Sequence, residues 1–145
     1  MTAEQREEMI AHVRAEAPNE GCGMLGGKDG TVLAVFPARN AAASPIRFTI
    51  HPEDLLRIVR TVEYERDLQI VGIFHSHIAS AAYPSATDVA EAEFDMGNGE
   101  TVERYPGAMH IVISLANPTE PDVRGYTIRQ GEIAEAPLCI VPDAV

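Results

Sequence analysis

His75 and His77, two of the chain's five histidines, stand two residues apart, with Asp88 eleven residues further on. The pair follows directly on residues 70–74 (IVGIF), an unbroken apolar run of the kind that forms a strand buried on both faces. Strand side chains alternate between faces, so His75 and His77 point one way and Ser76 the other. Two imidazoles on one face can converge on a small cation. Asp88 falls in the first turn of a helix expected to begin at Ser85, and its carboxylate supplies a third ligand. Two nitrogens and one carboxylate oxygen leave a fourth tetrahedral position for water, which is the catalytic rather than the structural zinc pattern. The same residues also have plainer uses. Ser85-Ala86-Thr87-Asp88 after Pro84 fits a capping box, and a strand rim can carry two solvated histidines. Capping and metal binding are compatible, because Ser85 can start the helix while Asp88 reaches back.

The elements that must position these residues are legible from periodicity. Residues 3–17 read as a helix with Met9, Ile10, Val13 and Ala17 on one face, ended by Pro18-Asn19. Residues 21–27 and 31–36 form a hairpin about Lys28-Asp29-Gly30, and residues 37–45 a loop. Residues 47–50 alternate as a strand. A second helix opens at His51-Pro52-Glu53-Asp54, with proline in its first turn, acids near its positive end, and Leu55, Val59 and Val62 as its buried stripe. Residues 85–94 favour helix, and the Gly-rich 95–107 a mobile surface loop. Residues 109–115, 123–128 and 138–141 close the chain as strands. Interleaved helices and strands predict an α/β (α+β) fold, one mixed sheet packed with about three helices.

Composition narrows the partners. The 145 residues carry 11 Lys and Arg against 22 Asp and Glu, a formal charge of −11, which argues against nucleic-acid binding. No apolar run is long enough to span a bilayer, and the charged N-terminal stretch has no apolar signal core. Cys22 and Cys139 fit no metal or disulfide spacing, so a cytoplasmic location is expected. One domain over residues 1–145 is the natural reading of the length. Cys22 is expected to pack in the core, His12 and His51 to be surface or cap-adjacent, and His110 to open a strand.

The string His75-Ser76-His77, seven residues, then Ser85-Ala86-Thr87-Asp88 resembles the JAMM (MPN+) zinc metalloprotease motif. That family completes its motif with an upstream glutamate on a strand reading as an acid followed by x-C-G-x-L-x-G. Glu20, before Gly21-Cys22-Gly23-Met24-Leu25-Gly26, fits this pattern. The resemblance covers nearly the whole chain and is greatest to small bacterial members that act on ubiquitin-like sulfur-carrier proteins (carrier–cysteine hydrolases). It implies one Zn²⁺ held by His75, His77 and Asp88, and metal-activated water as the nucleophile. It further implies Glu20 as general base and then acid, and Ser85 as donor to the oxyanion. The substrate implied is the amide or isopeptide bond after the C-terminal glycine of a carrier with an extended Gly-Gly tail. A homodimer is compatible with the fold.

Taken without the family pattern, Glu20 reads as a solvated loop acid. Ile78 stands where many members have proline, which affects loop stiffness but no ligand. Residues 95–107 read equally as a plain loop or as a flap that touches substrate. Two other functions stay open: a non-catalytic MPN-fold module that only binds carriers, and a zinc amidohydrolase acting on small molecules.

Overall fold

The computed structural model describes residues 1–142. The elements in order are α1 (Ala3–Glu16), β1 (Cys22–Lys28), β2 (Thr31–Ala38), α2 (Pro52–Val59), β3 (Gln69–His77), α3 (Ala86–Glu91), β4 (Glu93–Asp95), β5 (Thr101–Glu103), β6 (Met109–Ser114), β7 (Asp122–Arg129) and β8 (Glu132–Ala136). Six strands form one mixed sheet in the order β2-β1-β3-β6-β7-β8, and β4 and β5 pair separately. Only β3 and β6 run parallel; the other neighbours in the six-stranded sheet are antiparallel. This is the mixed α+β architecture expected from the sequence. No helix among the described residues is long and apolar enough to cross a membrane.

Alternation along β3 sorts the core into two layers. Phe74 faces α1 and packs with Met9, Ile10, Val13, Leu25, Ile111 and Ile113. Ile73 faces the other way, into a layer with Cys22, Met24, Ile58 and Val62 under α2. His75 and His77 continue the Ile73 face, so the strand's core pattern carries the two imidazoles to its C-terminal end. A π-helical turn at Arg60–Glu65 extends α2. The buried face of that segment is therefore Asp54, Ile58 and Val62; Leu55 and Val59 are only half-buried.

Close packing explains the glycines at the start of β1 and just before it. A Cβ at Gly23 would lie 2.6 Å from the Phe36 carbonyl oxygen and inside the ring of Phe74. A Cβ at Gly21 would meet the Val13 backbone of α1 at 2.7 Å. At the other end of β2, Asp54 accepts from the Arg39 backbone N–H (2.8 Å) and from its guanidinium Nε and Nη2 (3.0 Å each). These hydrogen bonds hold the Asp54 carboxyl down at about 2 and fasten the start of α2 to the sheet.

Four boundaries differ from the sequence expectation. Residues 47–50 form no strand; apart from one bridge between Asn40 and Ile50, they are a loop. The Asn40 side chain organises that loop, accepting from the Ala42 and Thr49 N–H groups and donating to the Glu20 and Arg47 carbonyls. The third helix stops at Glu91, and Phe94 lies in β4. Residues 95–107 are not simply a loop, because β4 and β5 form a hairpin whose turn passes through Gly97 and Gly99 at positive φ. Residues 138–141 are not a strand of the sheet. Gln130 and Gly131, both at positive φ, form a two-residue turn that brings β8 back along β7. Val141 instead donates its N–H to the Met1 carbonyl beside α1.

The Gly23 site gives a direct check on this packing. Gly23→Ala is expected to cost about 2–3 kcal/mol in urea unfolding, because neither the Phe74 ring nor the Phe36 carbonyl can withdraw. Unchanged stability would contradict the described approach of β1 to β2 and β3.

Candidate metal centre

The end of β3 and the start of α3 bring three ligand atoms to one point. His75 Nε2 and His77 Nε2 are 3.1 Å apart, and Asp88 Oδ2 is 3.0 Å from each. Both histidines are buried, and Asp88 is half-buried. The capping reading and the ligand reading hold together. Ser85 is the N-cap of α3 and accepts from the Asp88 N–H at 3.0 Å, while Asp88 Oδ2 accepts from the Ser85 N–H at 2.8 Å. That same oxygen faces the imidazoles. The Ser85 hydroxyl proton has no acceptor among the described residues.

The tautomer of His77 follows from its other nitrogen. Nδ1 is 2.9 Å from the Ala81 carbonyl oxygen, which can only accept, so Nδ1 carries a proton. In the neutral ring the Nε2 lone pair then points at Asp88 and His75, as a metal ligand requires. The loop supplying this acceptor is pinned carbonyl by carbonyl. Ser114 Oγ donates to the Ser80 carbonyl at 2.6 Å, and the buried Tyr126 hydroxyl donates to the Ala82 carbonyl. On the other ring, Phe48 stacks against His75 with centroids 4.4 Å apart.

Glu20 precedes β1 and is only 3% exposed, so it is not a solvated loop acid. Its backbone is fixed on both sides, by N–H donation to the Ser44 carbonyl and by the Asn40 amide on its own carbonyl. Its Oε1 is buried with no hydrogen-bond partner. Burial pushes the Glu20 carboxyl up to about 7; His77 opposes this, and Asp88 and Glu91 add to it. Asp88 behaves oppositely. Burial alone would raise it, but the two imidazoles hold it well below the usual carboxylate range. Burial also disfavours the His77 cation, yet the hydrogen bond with Asp88 and that with Ala81 raise its pKa overall.

These observations fit a bound cation. Three donor atoms, two of them on buried histidines, share one point, the tautomer of His77 is fixed by a backbone acceptor, and the orphaned Glu20 carboxyl is electrostatically coupled to His77 and Asp88. A nitrogen, nitrogen, oxygen set of this geometry suits zinc.

Other sequence-flagged residues lie elsewhere. Cys22 is buried, its thiol pushed up to about 12 by burial, and is chemically quiet; Cys139 is exposed. His51 caps α2, accepting from the Glu53 N–H. His12 is half-buried rather than superficial, its Nε2 3.0 Å from the carbonyls of both Cys22 and Ala38. His110 is half-buried on the same sheet face as His75, and burial lowers its pKa. Tyr126 lies in the stretch Arg124-Gly125-Tyr126-Thr127-Ile128, which shares in the family resemblance, but its support of the ligand loop, like that of Ser114, was not readable from sequence, since the contacts span 44 and 34 residues.

A six-stranded mixed sheet between helices, with this cluster at the junction of β3 and α3, defines a JAB/MPN-type domain. Residues 2–128 match the family described as prokaryotic homologs of the JAB domain, and the chain belongs to that family. It is 33% identical over 135 residues to the CysO-cysteine peptidase of Mycobacterium tuberculosis, covering 92% of this chain and 84% of that protein. It is 32% identical over 121 residues to a desampylase of Haloferax volcanii, covering 79% and 78%. A solved structure from Desulfitobacterium hafniense superposes with a TM-score of 0.81 at 35% identity, over 98% of this chain and 92% of that one.

The buried carboxyl yields a stability prediction for the metal-free protein. A group whose pKa rises from 4.5 to about 7 on folding contributes fully below pH 4.5 and loses that contribution as pH rises through 7. Glu20→Gln is therefore expected to stabilise the chelated protein at pH 8 by up to about 3 kcal/mol and to leave it unchanged near pH 4. Equal stability of the two proteins at pH 8, read by thermal melting, would mean that Glu20 is not desolvated.

Proposed function

We propose that this chain is a zinc-dependent metallopeptidase that hydrolyses the amide or isopeptide bond after the C-terminal glycine of a ubiquitin-like sulfur-carrier protein. The observation that carries the reading is the convergence of His75 Nε2, His77 Nε2 and Asp88 Oδ2, with the orphaned carboxyl of Glu20 electrostatically coupled to His77 and Asp88. The names of its relatives support the substrate class: CysO-cysteine peptidase, desampylase, and a probable TtuB-protein conjugate cleaving protease of Thermus thermophilus, 37% identical over 89 residues.

His75, His77 and Asp88 would hold the zinc ion. When bound, the cation supplies Lewis acidity that polarises the scissile carbonyl and acidifies a water. Glu20, with a pKa near neutrality, takes a proton from the attacking water and passes it to the departing amine. The Ser85 hydroxyl accepts from the Asp88 N–H, so its own proton is available to the oxyanion that forms on the glycine carbonyl. Water is added across the amide, giving a glycine carboxylate and a free amine. An extended diglycine tail can add as a strand to an edge of the β4–β5 hairpin, beside exposed Phe94, Met96 and Val102. The alternatives of a non-catalytic module and a small-amide hydrolase lack a comparable observation.

Intact mass of carrier conjugates incubated with the protein tests this reading. Cleavage at the glycine is expected, lost with a chelator and restored by zinc. Glu20→Gln is expected to retain zinc and lose about 10²–10⁴-fold in rate. Full activity of that variant, or cleavage of small amides with none of the carriers, would overturn the assignment.

A further inference from the structure

Residues 78–84 bridge His77, at the end of β3, to Ser85, the N-cap of α3. Side-chain packing holds little of this bridge. Ala79, Ser80, Ala81 and Tyr83 are exposed, and Ala82 and Pro84 are its buried members. A segment of this kind keeps its conformational freedom unless its backbone is tied.

The ties come from the two neighbouring strands. Ser114 ends β6 beside His77, its register partner across the parallel pair. Ser114 Oγ accepts from the Ala116 N–H at 3.3 Å, and its hydroxyl proton goes to the Ser80 carbonyl, 2.6 Å away. Tyr126, on β7, is 2% exposed and packs with Ala82 and Val112. A phenol buried this deeply needs a partner for its O–H, and the Ala82 carbonyl is that partner. Burial raises the Tyr126 pKa, so the hydroxyl keeps the proton it donates.

The Ala81 carbonyl lies between these two anchored ones. It accepts from the Tyr83 N–H at 2.8 Å and faces His77 Nδ1 at 2.9 Å. Adjacent peptide planes are joined only through φ and ψ, so fixing the planes on either side restricts the one between them. If the Ala81 carbonyl turned away, Nδ1 would lose its acceptor. The imidazole could then take the other tautomer, with its proton on Nε2 where the cation belongs.

We propose that Ser114 and Tyr126 are positioning residues of the metal centre: through the Ser80 and Ala82 carbonyls they hold the Ala81 carbonyl on His77 Nδ1, and so aim the His77 Nε2 lone pair at the cation. The inference rests on the metal-centre reading. Neither hydroxyl is a ligand, and each acts through backbone. Partners at this remove from a metal typically change its affinity by about 10–100-fold.

The test compares the unaltered chain with Tyr126→Phe, Ser114→Val and Ser114→Thr. Tyr126→Phe keeps the ring, and valine matches threonine in shape, so each comparison removes a hydroxyl with little change in packing. Zinc affinity is read by competition with a chelator. Exchange of the His77 Nδ1–H proton with water is read by NMR at saturating zinc. Tyr126→Phe and Ser114→Val are each expected to weaken zinc binding about tenfold or more and to speed that exchange. Ser114→Thr, which keeps the hydroxyl, is expected to match the unaltered chain. Equal affinity in all four proteins would overturn the inference and leave the metal centre standing. Weaker binding with unchanged Nδ1–H exchange would also overturn it, because the hydroxyls would then act on the fold and not on His77. No zinc bound by the unaltered chain would sink the metal-centre reading, and this inference with it.

Discussion

Three potential ligand atoms within 3.0–3.1 Å of one another cannot coexist without a proton or a cation between them. In the cation-free protein a proton fills that need in part, which is why Asp88 holds the His77 cation up while His75 and His77 hold Asp88 down. A divalent cation answers the same requirement more completely, since it faces all three ligands at once. Much of the surrounding fold exists to keep those atoms pointed at a common centre. Ser76, on the opposite face of β3, ties the strand to the segment that carries Glu20, donating its N–H to the Gly21 carbonyl and accepting the Gly21 N–H. The Arg39–Asp54 clamp anchors the end of the loop that lays Phe48 on His75.

Rigidity at the centre has a counterpart in openness around it. The ligand loop is fastened by Ser114, His77 and Tyr126 to three consecutive carbonyls, so its freedom is spent before any ligand arrives. The β4–β5 hairpin, by contrast, is two short strands with exposed apolar side chains, tied to the body by Arg104 on the Glu91 carbonyl, by Glu93 accepting from the Gly131 N–H and by the Glu103–Arg129 ion pair.

Much of this was readable from sequence, for physical reasons that differ by element. The apolar run of β3 and the i, i+2 spacing of His75 and His77 are local facts, and alternation alone puts both rings on one face. Ser85 and Asp88 are a local pair as well, so their reciprocal capping followed from spacing. Glu20 was legible only through a family pattern; nothing near it in the chain announces burial, which comes from the Ser44 and Asn40 contacts that fold over it. Turn chemistry is less legible: hydrophobic alternation does not mark Gln130-Gly131 as a two-residue hairpin turn, so the last strand is expected at 138–141 rather than at β8, and Gly97 and Gly99 suggest a loop although they permit a turn between β4 and β5. The facing of His110 with His75 comes only from cross-strand register, which no local window contains.

X-ray absorption of the protein reconstituted with zinc tests most directly whether His75, His77 and Asp88 form one metal centre. The expected result is one zinc per chain with two imidazole nitrogens and only light oxygen scatterers besides, and loss of that signature in His77→Ala. A sulfur shell from Cys22 or Cys139, or zinc retained unchanged by His77→Ala, would contradict the account.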